Sequence, residues 1–413
     1  MKKLFSILLC GLMMISLGAC SSTTSDSTAT ATASTETEKE QVTLTVWGSQ
    51  DDQEMLNEML DAFKEAHPEK EYTFELGVVG EPDAKTKYLE DPSAAADVFA
   101  FANDQLRDLV NAGALYKVTR TDDVDYINAT NAEGTIDAAS IDGQLYAYPE
   151  TADNGYFLYY DKSVFSEEDV QSLDTMLDVA NAAGKKVFMD VSNGWYIASF
   201  FLGNGGTLTI DEDGKQVCNF NDENGLETGE AIKAFTANSA FLTGDDSVLT
   251  AGFADGSIAA GVSGTWNATT ISDALGDNYA ATKLPEFTAG DEQVQMGSFA
   301  GYKFVGVNSQ TAYPTDAMDV AAWLTNEENQ LIRFEQRAMG PSNINVAQSE
   351  EVQSNEALAA LALQSMYATS QKDVLGSYWS AAEAFGTTME AKDYSKSVQE
   401  LLDAMVSQIH DGE

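Results

Sequence analysis

Histidine, cysteine and basic charge are scarce in this chain of 413 residues. Its two histidines are His67 and His410, whereas zinc and copper centres want several His or Cys ligands, so no metal site is expected. Of the three cysteines, Cys10 and Cys20 fall at the N-terminal apolar segment and only Cys218 remains for the folded part, which excludes an intramolecular disulfide there. Against 66 acidic residues stand 22 basic ones, a formal charge of −44. Nucleic acid, anionic lipid and acidic polysaccharides are repelled by such a chain. A neutral solute meets no such penalty, and the acidity by itself also serves solubility.

Lys2 and Lys3 open the chain, and the apolar run Leu4–Leu17 follows, too short to span a bilayer comfortably. It ends in Leu17-Gly18-Ala19-Cys20. Residues 1–19 read as a secretion signal, and the small residues before Cys20 resemble the bacterial lipobox, whose cysteine is diacylated, palmitate being a typical chain, and becomes the mature N-terminus. Ser21 to Glu40 is nearly all Ser, Thr, Ala and Glu and cannot bury enough surface to fold. Residues 20–41 are therefore expected to be a lipidated Cys and flexible tether, which holds a monomer on the extracytoplasmic face of the cell membrane through lipid alone.

Length and a hydrophobic fraction of 44% suit two domains with two cores. Val42, Leu44 and Val46 alternate as in a strand. Asp51 with Glu54 predicts a capping box for a helix burying Met55, Leu56, Met59, Leu60 and Phe63, and His67-Pro68 stops it. Tyr72, Phe74, Leu76 and Val78 alternate again, and Val98–Ala102 is apolar throughout, the mark of a strand covered on both faces. This order predicts an α/β sheet. Asp142-Gly143 predicts a hairpin turn, as does Asp211-Glu212-Asp213-Gly214, where the downstream ligands of a calcium loop are missing. Ala317 to Phe334 reads as helix with Trp323 on its core side.

Ser192-Asn193-Gly194-Trp195-Tyr196 delivers two adjacent large aromatics from a short polar turn. Such rings plug cores in many helix starts, but their flat apolar faces and polar edges also suit sugars. The surrounding motifs bear on the choice. Val46-Trp47-Gly48, Asp97–Asp104, Gly143–Pro149, the Phe253-x-x-Gly256-x-x-Ala259-x-x-x-x-Gly264-x-Trp266 pattern, Leu284-Pro285-Glu286-Phe287 and Tyr378-Trp379 recur in order and spacing over the chain after the tether. Together they resemble the carbohydrate-binding lipoproteins of ABC importers, closest to the maltose/maltodextrin-binding proteins.

The resemblance implies an α/β, two-lobed periplasmic-binding-protein-like fold with three hinge crossings and ligand in the cleft between lobes. Residues 42–150 plus 303–345 would form lobe 1 and 156–300 plus 350–413 lobe 2, with hinges near 151–155, 301–302 and 345–349. It implies sugar-stacking roles for Trp195, Tyr196, Trp266 and Trp379, with Phe101 as a cleft aromatic. Asp104 would accept hydrogen bonds from sugar hydroxyls, with Asp190 and Asn193 beside the aromatic pair, Asp51 and Glu81 from the first loops, and Asp153 near a hinge. The family often has Trp at Phe101, a basic residue at Gln105 and a carboxylate at Asn193. The implied activity is capture of a neutral oligosaccharide, of the maltose/maltodextrin kind, for delivery to ABC permease subunits, with no cofactor and no catalysis. Three other readings stay open: a receptor for a non-sugar solute such as a peptide or polyamine, a surface adhesin that holds starch without transport, and a glycoside hydrolase, although nothing in the sequence sets two carboxylates at a catalytic separation.

Overall fold

The structure, a computed structural model, describes residues 39–412. The signal, Cys20 and the tether up to residue 38 lie outside the described residues. Among the described residues no helix is long and apolar enough to cross a membrane.

Two β-sheets, each with its own core, organise the chain into two α/β lobes. In the first, β1 (Gln41–Gly48) lies parallel between β2 (Glu71–Val78) and β3 (Val98–Ala102). Helix α1 (Gln53–Ala66) connects β1 to β2 and buries Met55, Leu56, Met59, Leu60 and Phe63, the predicted face. The predicted capping box does not form: a 3-10 turn over Gln50–Asp52 precedes α1, and its acids are ion-paired to Arg337.

Strand β4 (Tyr148–Gly155) leads into β5 (Phe157–Asp161) of the second sheet. With β6 (Lys186–Phe188), β7 (Phe241–Leu242), β8 (Ile258–Ser263) and β9 (Tyr279–Thr282) that sheet runs in the order β7-β6-β8-β5-β9. Phe157 and Tyr159 of β5 pack into one cluster and Leu158 and Tyr160 into another, so both faces of the sheet are covered. The long β10 (Ser298–Val307) returns the chain to the first sheet, antiparallel to both β3 and β4, and β11 (Ala368–Ser370) pairs with its first residues. Beside this ribbon, Gly340-Pro341 pairs with β4 through Ala152 and Thr151.

The Asp142-Gly143 and Asp211–Gly214 turns join antiparallel hairpin strands, as expected. The single helix expected over 317–334 is two, Pro314–Leu324 and Glu327–Arg337, because Asn326 caps the second by accepting from the Asn329 amide.

Helix α2 (Gly194–Gly203) starts at the aromatic pair, and α3 (Gly376–Glu390), carrying Trp379, packs against the turn before it. Two glycines permit this approach. A Cβ on Gly194 would sit 3.2 Å from the Trp379 carbonyl oxygen, and one on Gly386 only 1.9 Å from that of Val191. The substitution G386A must therefore push α3 off the turn. It is expected to lower stability by about 1–3 kcal/mol, the range for overpacked interiors, in urea unfolding monitored by far-ultraviolet circular dichroism. Unchanged stability would contradict the close packing.

Candidate functional site

Trp195 and Trp266 come together where the lobes meet. Their ring centroids are 5.9 Å apart with planes inclined at 35°, and both rings are half-buried. A 3-10 turn at the end of β8 carries Trp266, whose Nε1 donates to Asp246 Oδ2 at 2.9 Å. At the start of α2, Trp195 donates from Nε1 to Gln371 Oε1 at 2.8 Å. Both polar edges are thus satisfied, and the faces remain for apolar contact.

Lys303, on β10, reaches this place from the first sheet. Its Nζ lies 5.4 Å from the Trp266 ring centroid and 3.1 Å from Glu81 Oε1. Burial raises the Glu81 carboxyl, but Lys303, a backbone hydrogen bond and Arg333 together hold the group below the usual carboxylate range. The loop bearing Glu81 is pinned by Gln105, whose Nε2 donates to the carbonyls of Glu81 (2.7 Å) and Pro82 (3.0 Å). The position where the family often carries a cation is here a loop brace. Asp104 is half-buried and accepts from Gln371 Nε2 at 2.9 Å, and burial pushes its carboxyl up to about 6. Behind these groups, Arg333 pairs with Glu150 at 2.7 Å with both side chains buried, and Arg337 Nε with Asp52 at 3.0 Å.

Trp195, Trp266, Asp104 and Glu81 therefore converge, and Trp379 adjoins them across the Gly194 turn, packed edge-on against Phe299 at 5.7 Å. Other expected contacts lie differently. Phe101 is 0% exposed, with its ring among Phe99 and Phe304 in the first core, because β3 is covered on both faces; it is a core residue and not a cleft aromatic. Tyr196, 7% exposed, is packed edge-on against Tyr156 and Trp195 and braces Trp195 instead of offering a face of its own. Asn193 caps α2: its Oδ1 accepts from the Trp195 amide at 2.9 Å, the task for which Asn is favoured at a helix start.

Asp153 is buried and accepts from Thr265 Oγ1 and from the Gly340 amide, so it ties β4 to both neighbouring segments; its other oxygen is buried with no partner. Asp190 accepts from Ser192 Oγ at 2.8 Å, and burial raises its carboxyl. Asp51 is well exposed and 3.5 Å from Arg337 Nη2.

Gln371, Lys303 and Arg333 were missed. A basic residue inside the apolar strand Tyr302-Lys303-Phe304 was a usable signal in a chain so poor in cations; Gln371 carried none. Elsewhere in the first lobe, Arg120, Asp123, Tyr126 and Trp323 line a separate cavity of about 280 Å³ that contains none of the converging residues. Cys218 is buried, its thiol pushed up to about 12, and among the described residues no His/Cys/Asp/Glu group is arranged to hold a metal ion.

The chain matches the model of the bacterial extracellular solute-binding proteins over residues 58–360. It is 27% identical to a galactooligosaccharide-binding protein of Bacillus subtilis (strain 168), across 93% of this chain and 91% of that one. To a maltodextrin-binding protein of the same organism it is 23% identical, across 97% of this chain and 94% of that one. A solved structure described as "with acarbose" is 34% identical, covering 90% of this chain and 99% of that one with a TM-score of 0.82. A family match over most of the folded part, together with these relatives, places the chain in the bacterial extracellular solute-binding protein family, whose members are extracytoplasmic binding proteins and not enzymes.

Proposed function

We propose that the chain captures a neutral oligosaccharide, of the maltodextrin kind, between its two lobes and delivers it to the permease subunits of an ABC importer. The observation that carries this reading is the Trp195–Trp266 pair beside Asp104 and Glu81. Indole faces cover the apolar C–H side of a pyranose while carboxylates accept from its hydroxyls. The names of the relatives, galactooligosaccharide-binding and maltodextrin-binding, and the acarbose associated with the solved neighbour point the same way. Lobe closure around the sugar, a hinge motion, would present the closed form to the permease, and Cys20 would hold the receptor at the membrane. The 11 residues proposed for the site are thereby sorted by role. Trp195, Trp266 and Trp379 stack, and Asp104, Glu81, Asp190 and Asp51 are polar candidates. Tyr196, Asn193, Asp153 and Phe101 support them from behind.

Calorimetric titration with maltose, longer maltodextrins, galactooligosaccharides, spermidine and a mixed peptide pool tests the ligand class. Binding is expected for a sugar at about micromolar Kd, near −8 kcal/mol, and for neither cation nor peptide. Heat from spermidine or peptides alone would overturn the sugar reading. W195A and W266A are each expected to weaken that binding about tenfold, near 1.4 kcal/mol.

A sugar hydroxyl donates to the charged form of Asp104, so binding should strengthen as pH rises through about 6 and level off above it. D104N should remove that step, and a pH profile identical to wild type would exclude Asp104 as the acceptor. Cys20→Ser is expected to shift the chain from the membrane fraction to the medium and to abolish palmitate labelling; retention on the membrane would refute the anchor.

A further inference from the structure

Resting on the reading of this cleft as a ligand site, we propose that Gln371 is its positioning residue, one amide that sets the plane of Trp195 and leaves a single Asp104 oxygen for ligand. Gln371 is 2% exposed and uses both ends of its side chain. Its Oε1 accepts from Trp195 Nε1 at 2.8 Å, its Nε2 donates to Asp104 Oδ1 at 2.9 Å, and its backbone amide donates to the Ala300 carbonyl at 3.2 Å. An indole N–H can only donate and a carboxylate oxygen facing an amide can only accept, so one orientation of the amide satisfies both. Close approach of β10 helps to hold it: a Cβ on Gly301 would lie 2.9 Å from Gln371 Cδ.

The bridge joins the two lobes. Trp195 and Val374 pack with the second core, whereas Leu106 and Leu109, flanking Arg107, belong to the first. The next two residues repeat the crossing. Lys372 Nζ meets Asp137 Oδ2 at 2.6 Å, and Asp373 Oδ1 meets Arg107 Nη2 at 3.1 Å. Three consecutive residues after β11 thus grip three carboxylate or guanidinium groups of the first lobe. The two ion pairs are open to solvent and salt, so they contribute little beyond orientation. The Gln371 bonds are buried, and one is to a carboxylate, which makes them the strong member of the clasp.

The test uses Q371E and Q371L in the chain released by Cys20→Ser, with K372A/D373A as the comparison. In Q371E the introduced carboxyl faces Asp104, and the shared region also contains Lys85, Arg107, Asp108, Lys372 and Asp373. At pH 8 repulsion between the carboxyls should weaken sugar binding about tenfold, and by pH 5 one shared proton should narrow the gap from wild type at that pH to about threefold or less. Q371L should show about a tenfold loss at every pH, and K372A/D373A about twofold or less in 0.15 M salt.

The same variants are read without ligand, by the near-ultraviolet circular dichroism that W195F removes and by the radius of gyration in solution scattering. Q371L is expected to lose the signal and to expand. Wild-type sugar affinity in Q371E and Q371L, with unchanged dichroism, would overturn the role of Gln371 while leaving the sugar reading intact. If wild type binds no sugar, the sugar reading fails, and the ligand-free dichroism and scattering alone decide whether Gln371 positions Trp195 and clasps the lobes.

Discussion

The antiparallel pairing of β4 with β10 is the constraint on which the placement of Trp266, Lys303 and Glu81 depends. Backbone amides and carbonyls in a buried ribbon must be paired, so the two strands form one hydrogen-bonded unit, from which the chain passes directly into β5 of the second sheet. Their register is irregular between Gly301 and Phe304. An irregularity of this kind bends a strand and redirects a side chain, and the residue redirected here is Lys303, which reaches both Glu81 and the Trp266 ring. Asp153 adds Thr265 and Gly340 to the same ribbon. The turn carrying one indole is therefore fastened to β4, the strand paired with the one that carries the cation beside it.

That cation is one of few. In a chain with a formal charge of −44, Lys303, Arg333 and Arg337 gather against Glu81, Glu150 and Asp52 in one buried region. Removing ions from water is costly, and pairing recovers only part of the cost, so such a network is a poor source of stability. Glu150 displays the tension: burial, with Glu81 and Asp52 nearby, pushes its carboxyl up to about 7 against the pull of Arg333. Arg333 is itself incompletely satisfied, its Nε buried without a partner. What the network supplies is placement, because each charge has a single tolerable position, and the loop bearing Glu81 and the α1 start bearing Asp52 are held to it.

The same distinction between periodic and convergent information explains what was legible in the sequence. The buried face of α1 and the turns at Asp142 and Asp211 follow from local pattern and backbone preference, and all appear. Trp195 and Trp266 were found by motif resemblance, and they do meet. The misreadings arose where a motif position says nothing of which way a side chain points. Phe101 sits at a cleft position of the motif but on a strand covered on both faces, so its ring turned inward. Asn193 also caps α2 through its Oδ1, a task that its motif position does not reveal. Asp51 and Glu54 have capping-box spacing, yet Arg337, remote in sequence, pairs with Asp51 and Asp52. Gln371 was invisible for the same reason, since its partners are Trp195 and Asp104, remote in sequence and of no fixed spacing.

Those remote partners bear on how an aromatic site can be made rigid. A tryptophan ring attracts apolar surface over its whole face but offers one directional group, the indole N–H, and a ring fixed only by packing can still rock about that edge. Here each N–H has a partner on a different element, Gln371 for Trp195 and Asp246 for Trp266. Tyr196 closes one side of Trp195, and Lys303 stands over Trp266. Once edge and flank are both held, the remaining face is presented at a set inclination before any ligand arrives. Ordering side chains is among the main costs of association, so a face ordered in advance converts more of each ring contact into affinity. On the proposed reading of the site, the polar residues behind the indoles would govern binding as much as the rings, although none of them belongs to an aromatic motif.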